Sequence, residues 1–224
     1  MKLLIDNADI NEIKRLYDYY PVDGVTTNPS ILSRTGRKPF DVLHEIRAFI
    51  AEDDLHVQVV ASSFEGMVKD AERIVAELGK NTFIKVPAAG EGFKVMKYLS
   101  LNGFCVTGTA VYMPMQAYLA AKCGCSYVAP YVNRIDNLGY DGIETVKRIQ
   151  EIFENNGFST GVLAASFKNS MQVLHLCEYG IAASICAPDI FDNFVRNAQV
   201  EEAVWAFRKD FEKLNGDGMT MAKL

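Results

Sequence analysis

A lysine inside an apolar, strand-like run is an uncommon placement, and Thr82-Phe83-Ile84-Lys85-Val86-Pro87 contains one. Desolvation disfavours an ammonium ion, so an amine buried there would titrate closer to neutrality and attack a carbonyl to form a Schiff base. The simpler alternative is a lysine at a strand end, with its stem on apolar surface and its head in water. The choice depends on what surrounds Lys85. A Schiff-base enzyme acting on a ketose or aldehyde needs, besides the amine, an acid/base for hydroxyl protons, donors that hold a water, and a cation to anchor a phosphate. Asp6, Thr26, Asn28, Gln58, Thr109, Tyr131, Arg134, Ser166 and Lys168 offer the matching chemical types, with Arg134, Lys168 and the Ser166 hydroxyl able to anchor an anion.

Each of these residues also has a local explanation. Asp6 could cap the first helix, although Asp9 with Glu12 three residues on is the better capping pair. Thr26-Thr27-Asn28-Pro29-Ser30 fits an ordinary strand-to-helix turn, with Asn28 as cap and Pro29 in the first helical position. Gln58 and Thr109 fit satisfied polar groups in a core, and Arg134 with Asp136 fits a surface ion pair. What they share is position within the elements that carry them.

Short β-rich runs alternate with amphipathic helical patterns along nearly the whole chain. The strands are expected at 2–6, 24–28, 56–61, 82–88, 105–111, 127–133, 161–167 and 183–187. The helices are expected at 11–19, 39–51, 64–78, 92–102, 115–123, 142–156 and 170–179, several of them stopped by glycine. Eight β-then-α units predict a (β/α)8 TIM barrel. A doubly wound open sheet would give the same alternation, but no GxGxxG fingerprint follows the first strand. An extra C-terminal helix at about 200–214, with Val204, Trp205, Phe207 and Phe211, is expected to pack on the barrel or on a neighbouring subunit. In a barrel, catalytic groups gather at the C-terminal ends of strands, which is where these polar residues fall.

Composition narrows the partners. The 224 residues, 49% of them hydrophobic, suit one barrel-sized domain spanning 1–224, and no linker-like segment divides it. A net charge of -5 argues against nucleic acid and anionic membrane and leaves small molecules. With no signal-like stretch at the start and no run of transmembrane length, a cytoplasmic location is expected. The five cysteines are odd in number and scattered, as reduced thiols are. Cys123 and Cys125 lack a second cluster, and His44, His56 and His175 are far apart, so we expect neither a metal nor another cofactor. Aldol chemistry without a metal requires an amine.

Five segments together, Gly24-Val25-Thr26-Thr27-Asn28-Pro29-Ser30, Ile84-Lys85-Val86-Pro87, Gly108-Thr109-Ala110, Ala129-Pro130-Tyr131-Val132-Asn133-Arg134 and Ala164-Ala165-Ser166-Phe167-Lys168, resemble the small transaldolases and fructose-6-phosphate aldolases. The resemblance runs from Asp6 through the last helix. It implies a class I aldolase barrel with Lys85 as the Schiff-base lysine and Asp6 as the acid/base. Asn28 and the Thr26-Thr27 turn would hold the donor hydroxyls, and Arg134 and Ser166, helped by Lys168, the phosphate. It also implies a ring-based homo-oligomer, such as a decamer, with the final helix reaching a neighbouring subunit.

Within that family, transaldolases usually carry glutamate and phenylalanine where this chain has Gln58 and Tyr131, whereas the aldolase branch carries glutamine and tyrosine. Gln58, Thr109 and Tyr131 could fix one water beside the Schiff base, through which Tyr131 protonates the enamine. The expected activity is therefore cleavage or formation of fructose 6-phosphate. The alternatives are a transaldolase that transfers the dihydroxyacetone unit between sugar phosphates in the pentose phosphate pathway, and a non-catalytic sugar-phosphate-binding barrel.

Overall fold

A computed structural model describes residues 1–224, and the chain divides into two compact units, Met1–Phe191 and Asp192–Leu224. The first is a closed barrel of eight parallel strands in sequence order. These are β1 (Lys2–Asp6), β2 (Gly24–Thr26), β3 (Asp54–Gln58), β4 (Thr82–Pro87), β5 (Val106–Val111), β6 (Tyr127–Pro130), β7 (Gly161–Ala164) and β8 (Ala183–Cys186). Around them run α1 (Ile10–Tyr19), α2 (Pro29–Arg34), α3 (Pro39–Ile50), α4 (Phe64–Leu78), α5 (Gly92–Leu101), α6 (Pro114–Lys122), α7 (Val132–Asp136), α8 (Gly142–Asn155) and α9 (Ser170–Tyr179). The expected (β/α)8 barrel and the extra C-terminal helix are both present. No helix is long and apolar enough to cross a membrane.

The strands are buried on both faces, as parallel strands under a helical layer must be. Ile5, Val25, Val57, Ile84, Val86, Val128 and Val162 are fully or almost fully withdrawn from solvent, as are Ile13, Leu16, Ile46 and Ile149 on the helices. Inside the barrel, Leu4, Leu163, Ala165, Ala183 and Ile185 form an apolar cluster against which Tyr127 and Tyr131 pack. The opposite side of the interior is polar. There His56 stacks on Phe83 at 4.4 Å between ring centroids, and its Nδ1 meets Thr107 Oγ1 at 3.0 Å.

Most strands stop earlier than their apolar runs suggest, because the chain turns into a cap or a helix at the rim. β2 ends at Thr26 because Asn28, expected within the strand, is the N-cap of α2 and accepts from the Ile31 N–H at 3.0 Å. β6 ends at Pro130, and the next residues, expected as strand, form the short helix α7. The 161–167 run keeps strand form only to Ala164; Ser166 adopts a left-handed conformation with φ 62°. β3 runs from Asp54 to Gln58, two residues earlier than expected at its start and three at its end. Asp9 does cap α1, which leaves Asp6 outside the helix, but Glu12 pairs with Arg15 at 2.9 Å and completes no capping box.

At one place the start of a helix must approach the strand bearing the lysine closely. A Cβ at Gly92, the first residue of α5, would lie 1.9 Å from the Pro87 carbonyl oxygen that ends β4. Only glycine permits that contact.

α10 (Pro188–Val195) leads out of the barrel unit, and the second unit is chiefly α11 (Ala198–Asn215) followed by a single 3-10 turn, Met221–Lys223. Asn197 caps α11, and Glu212 is held by Arg208 at 3.1 Å and Lys209 at 2.9 Å. Val200, Val204, Trp205 and Phe207 are exposed along it.

Candidate active site

Lys85 is the fourth residue of β4, between Gln58 on β3 and Thr107 on β5 as its cross-strand partners. The inward side of the pleat therefore carries it into the barrel, where only 4% of it is exposed. Nζ donates to Thr26 Oγ1 at 2.7 Å and to the Thr27 carbonyl oxygen at 3.0 Å. Those two bonds account for both N–H groups of a neutral amine and leave its lone pair unshared, whereas an ammonium would keep a third donor without a partner. Burial pushes the Lys85 pKa below its ordinary value, and the Asp6 carboxylate opposes this only in part.

Asp6 ends β1 in register with Thr26, and its carboxylate makes no hydrogen bond. Burial raises its pKa, against the pull of Lys85, Arg134 and Arg34. Burial thus moves the two groups towards each other in acidity, which prepares them for the proton exchange that carbonyl chemistry requires.

Two more strands bring the hydroxyl pair. Thr109 on β5 and Tyr131 after β6 meet oxygen to oxygen at 3.0 Å. The Arg134 guanidinium lies 4.6 Å from the centroid of the Tyr131 ring and reaches the Tyr112 hydroxyl at a long 3.4 Å. The β5–β6 register shifts between Gly108 and Val111, and Ala110 takes a left-handed φ of 56°. That irregularity turns Ala110 towards the cavity beside Thr109 rather than away from it. Strained backbone at Ala110 and Ser166 thus flanks the β6 end on both sides.

A cavity of about 1050 Å³ opens at this rim, with Asp6, Asn28, Gln58, Ala110, Tyr131 and Arg134 in its wall. Six of the ten site residues expected from sequence (Lys85, Asp6, Gln58, Thr109, Tyr131 and Arg134) thus converge on one rim, and Asn28 joins them with its amide nitrogen uncommitted. The other three are placed differently. Thr26 is fully buried and holds the amine, so it positions Lys85 and has no open face for a substrate. Ser166 is half-buried, and its carbonyl oxygen accepts from the Asn133 N–H at 2.9 Å. Lys168 is exposed, its backbone N–H donates to Gln172 Oε1 at 2.7 Å, and it is not part of the cavity wall.

Sequence reading missed Tyr112, Arg34 and Arg37. Tyr112 carries no signal beyond following the apolar β5, and Arg34 ends the short α2 while Arg37 lies in the turn before α3, so that their place in the cavity wall is set only by barrel closure. His56 is fully buried and its Nε2 has no partner, and burial together with the charges of Lys85 and Lys2 holds it neutral.

A parallel barrel that desolvates one lysine at its C-terminal rim, among carboxylate, amide and hydroxyl groups, defines an enzyme of the amine-dependent aldolase class. Residues 3–224 match the family model described as Transaldolase/Fructose-6-phosphate aldolase, and the chain belongs to that family. It is 37% identical over 214 residues to a probable transaldolase of Geotalea uraniireducens (strain Rf4), covering 96% of this chain and 99% of that protein. It is 36% identical over 214 residues to a probable transaldolase of Hydrogenobaculum sp. (strain Y04AAS1), covering 96% and 98%. A probable transaldolase of Nitrosopumilus maritimus (strain SCM1) is 35% identical over 218 residues, covering 97% of both.

Proposed function

We propose that this enzyme cleaves, and in reverse forms, fructose 6-phosphate through a Schiff base on Lys85. The observation that carries this reading is the doubly anchored, desolvated Lys85 amine within electrostatic reach of the Asp6 carboxylate. The Lys85 lone pair adds to the ketose carbonyl, and loss of water leaves an iminium. Asp6 takes the proton of the hydroxyl beyond the bond to be cleaved. As the carbon–carbon bond breaks, its electrons pass to the iminium and glyceraldehyde 3-phosphate departs. The enamine of dihydroxyacetone remains on Lys85. Arg134, aided by Ser166, would hold the phosphate, and Asn28 the donor hydroxyls; Lys168, expected to help them, lies outside the cavity wall.

The fate of the enamine separates two activities. The Thr109–Tyr131 hydroxyl pair, with the Gln58 amide in the same cavity wall, supports protonation through Tyr131 and a water, then hydrolysis, which makes an aldolase. The relatives are named probable transaldolases, and those names support the second reading, transfer of the enamine to another aldose. The rate of fructose 6-phosphate cleavage with and without erythrose 4-phosphate decides between them. Cleavage at full rate without the acceptor is expected of the aldolase, and strict dependence on the acceptor would replace it with the transaldolase. Borohydride trapping with fructose 6-phosphate tests what both share, and the absence of a mass adduct on Lys85 would exclude both.

The same reading gives small sugar phosphates as partners, without nucleic acid or membrane, and a cytoplasmic ring-based homo-oligomer. Exposed Val204, Trp205 and Phe207 on α11 support burial against a neighbouring copy. Trp205→Asp and Phe207→Asp should lower the mass seen by size-exclusion chromatography with light scattering, and an unchanged mass would remove α11 from the interface.

A further inference from the structure

Arg34 is the last residue of α2 and lines the same cavity as Arg134. α2 follows β2 and α7 follows β6, and these strands lie four apart in a closed ring of eight. The two guanidiniums therefore rise from opposite sides of the mouth. Their commitments differ. Arg134 is stacked on Tyr131 and touches Tyr112, and Arg37, also in the wall, is bound to Glu45 at 2.7 Å. Arg34 is exposed, and its guanidinium makes neither a hydrogen bond nor an ion pair. A cation at a helix C-terminus stabilises that end, which explains a basic residue at position 34 but not its place in the cavity wall.

The acids around it do not neutralise it. Asp9 is spent capping α1, and Asp6 lies within the field of both Arg34 and Arg134. The chain as a whole carries a net charge of -5, so its overall field repels an anionic sugar phosphate. Positive charge concentrated at a cleft mouth reverses that effect locally, because the low-dielectric walls focus the field.

We propose that Arg34 is a specificity-determining residue: the uncommitted cationic side of the cavity, opposite Arg134, that draws in the phosphate of a ketose phosphate and favours phosphorylated over unphosphorylated sugars. This rests on the ketose phosphate cleavage proposed above. The test compares the full-length wild type with Arg34→Gln and Arg34→Lys, measuring kcat/KM for fructose 6-phosphate and for fructose across a series of salt concentrations. For Arg34→Gln the ratio of the two values should fall roughly threefold to tenfold at low salt, and the salt dependence with fructose 6-phosphate should flatten. Arg34→Lys should restore most of the ratio, since the effect is one of charge. An unchanged ratio, or an equal loss with both sugars, would overturn the proposal.

Should the wild type turn over neither sugar, the proposed function fails on its own account, and titration of the unreacted protein with inorganic phosphate decides the role of Arg34. Severalfold weaker phosphate binding by Arg34→Gln, recovered in Arg34→Lys, would then support it, and unchanged binding would end it.

Discussion

The Thr26 hydroxyl oxygen lies 2.7 Å from Lys85 Nζ, and no other side chain bonds to that amine. Thr26→Val keeps the shape of the side chain and removes the acceptor. Hydrogen bonding to the charged form favours it, so the loss should lower the Lys85 pKa further and let the amine leave its attacking position. We expect borohydride trapping to slow by about tenfold, in line with a lost hydrogen bond to a charged group. Its acid limb should move to lower pH, and Thr26→Ser should restore both. A trapping profile identical to the wild type would mean that the Thr27 carbonyl alone positions the amine.

Asp6 offers a second, separable effect. The carboxylate raises the Lys85 pKa, so Asp6→Asn should shift the acid limb of Schiff-base trapping downward while the adduct still forms. Cleavage needs the lost base, and kcat should fall by about 10²–10⁴. Retained cleavage would transfer the proton-accepting role away from Asp6.

Tyr131 should control the outcome rather than the entry of the reaction. Tyr131→Phe removes the hydroxyl that meets Thr109 but retains the ring face beneath Arg134. With fructose 6-phosphate as donor and erythrose 4-phosphate as acceptor, the transfer-to-cleavage ratio should rise by about tenfold or more, the low end of a proton-transfer contribution. KM for the donor should change little. An unchanged ratio would show that another group protonates the enamine.

Stability should record the desolvated amine. Because the folded Lys85 pKa is lowered, the unfolded chain binds more protons between that value and about 10.5, and folding stability rises with pH across this window. The contribution is therefore present above the unfolded pKa and lost as pH falls through the folded one. Lys85→Met should stabilise the protein by about 1 kcal/mol at pH 7, as relief of a strained functional group commonly does. The gain should shrink as pH approaches 10, measured by urea unfolding across pH. A gain that is constant with pH would mean that Lys85 is not desolvated in solution.

Alternating β and α patterns, the Asn28 and Asp9 caps and the collection of polar residues at strand ends were legible in the sequence, because each depends on neighbours a few positions away. Strand ends were less so. The apolar run through Tyr131-Val132 looks like continued strand, yet the chain turns there into α7, whose first N–H groups bond to the β7 rim at Ala165 and Ser166.

The roles of Thr26 and Lys168 also depended on closure. Thr26 is 59 residues from Lys85 and becomes its partner only when β2 and β4 both face the same interior, which takes Thr26 out of reach of a substrate. Lys168 lies just past the same rim but outside the cavity wall. Arg34 and Arg134 come to line one cavity for the same reason, since the strands that precede them, β2 and β6, are four places apart in a closed ring of eight. The residue types that can do the chemistry were determined by the sequence itself. Which of them lose water, which meet, and which face the cavity was decided by closing the barrel, because burial and direction are properties of the packed interior and not of the local chain.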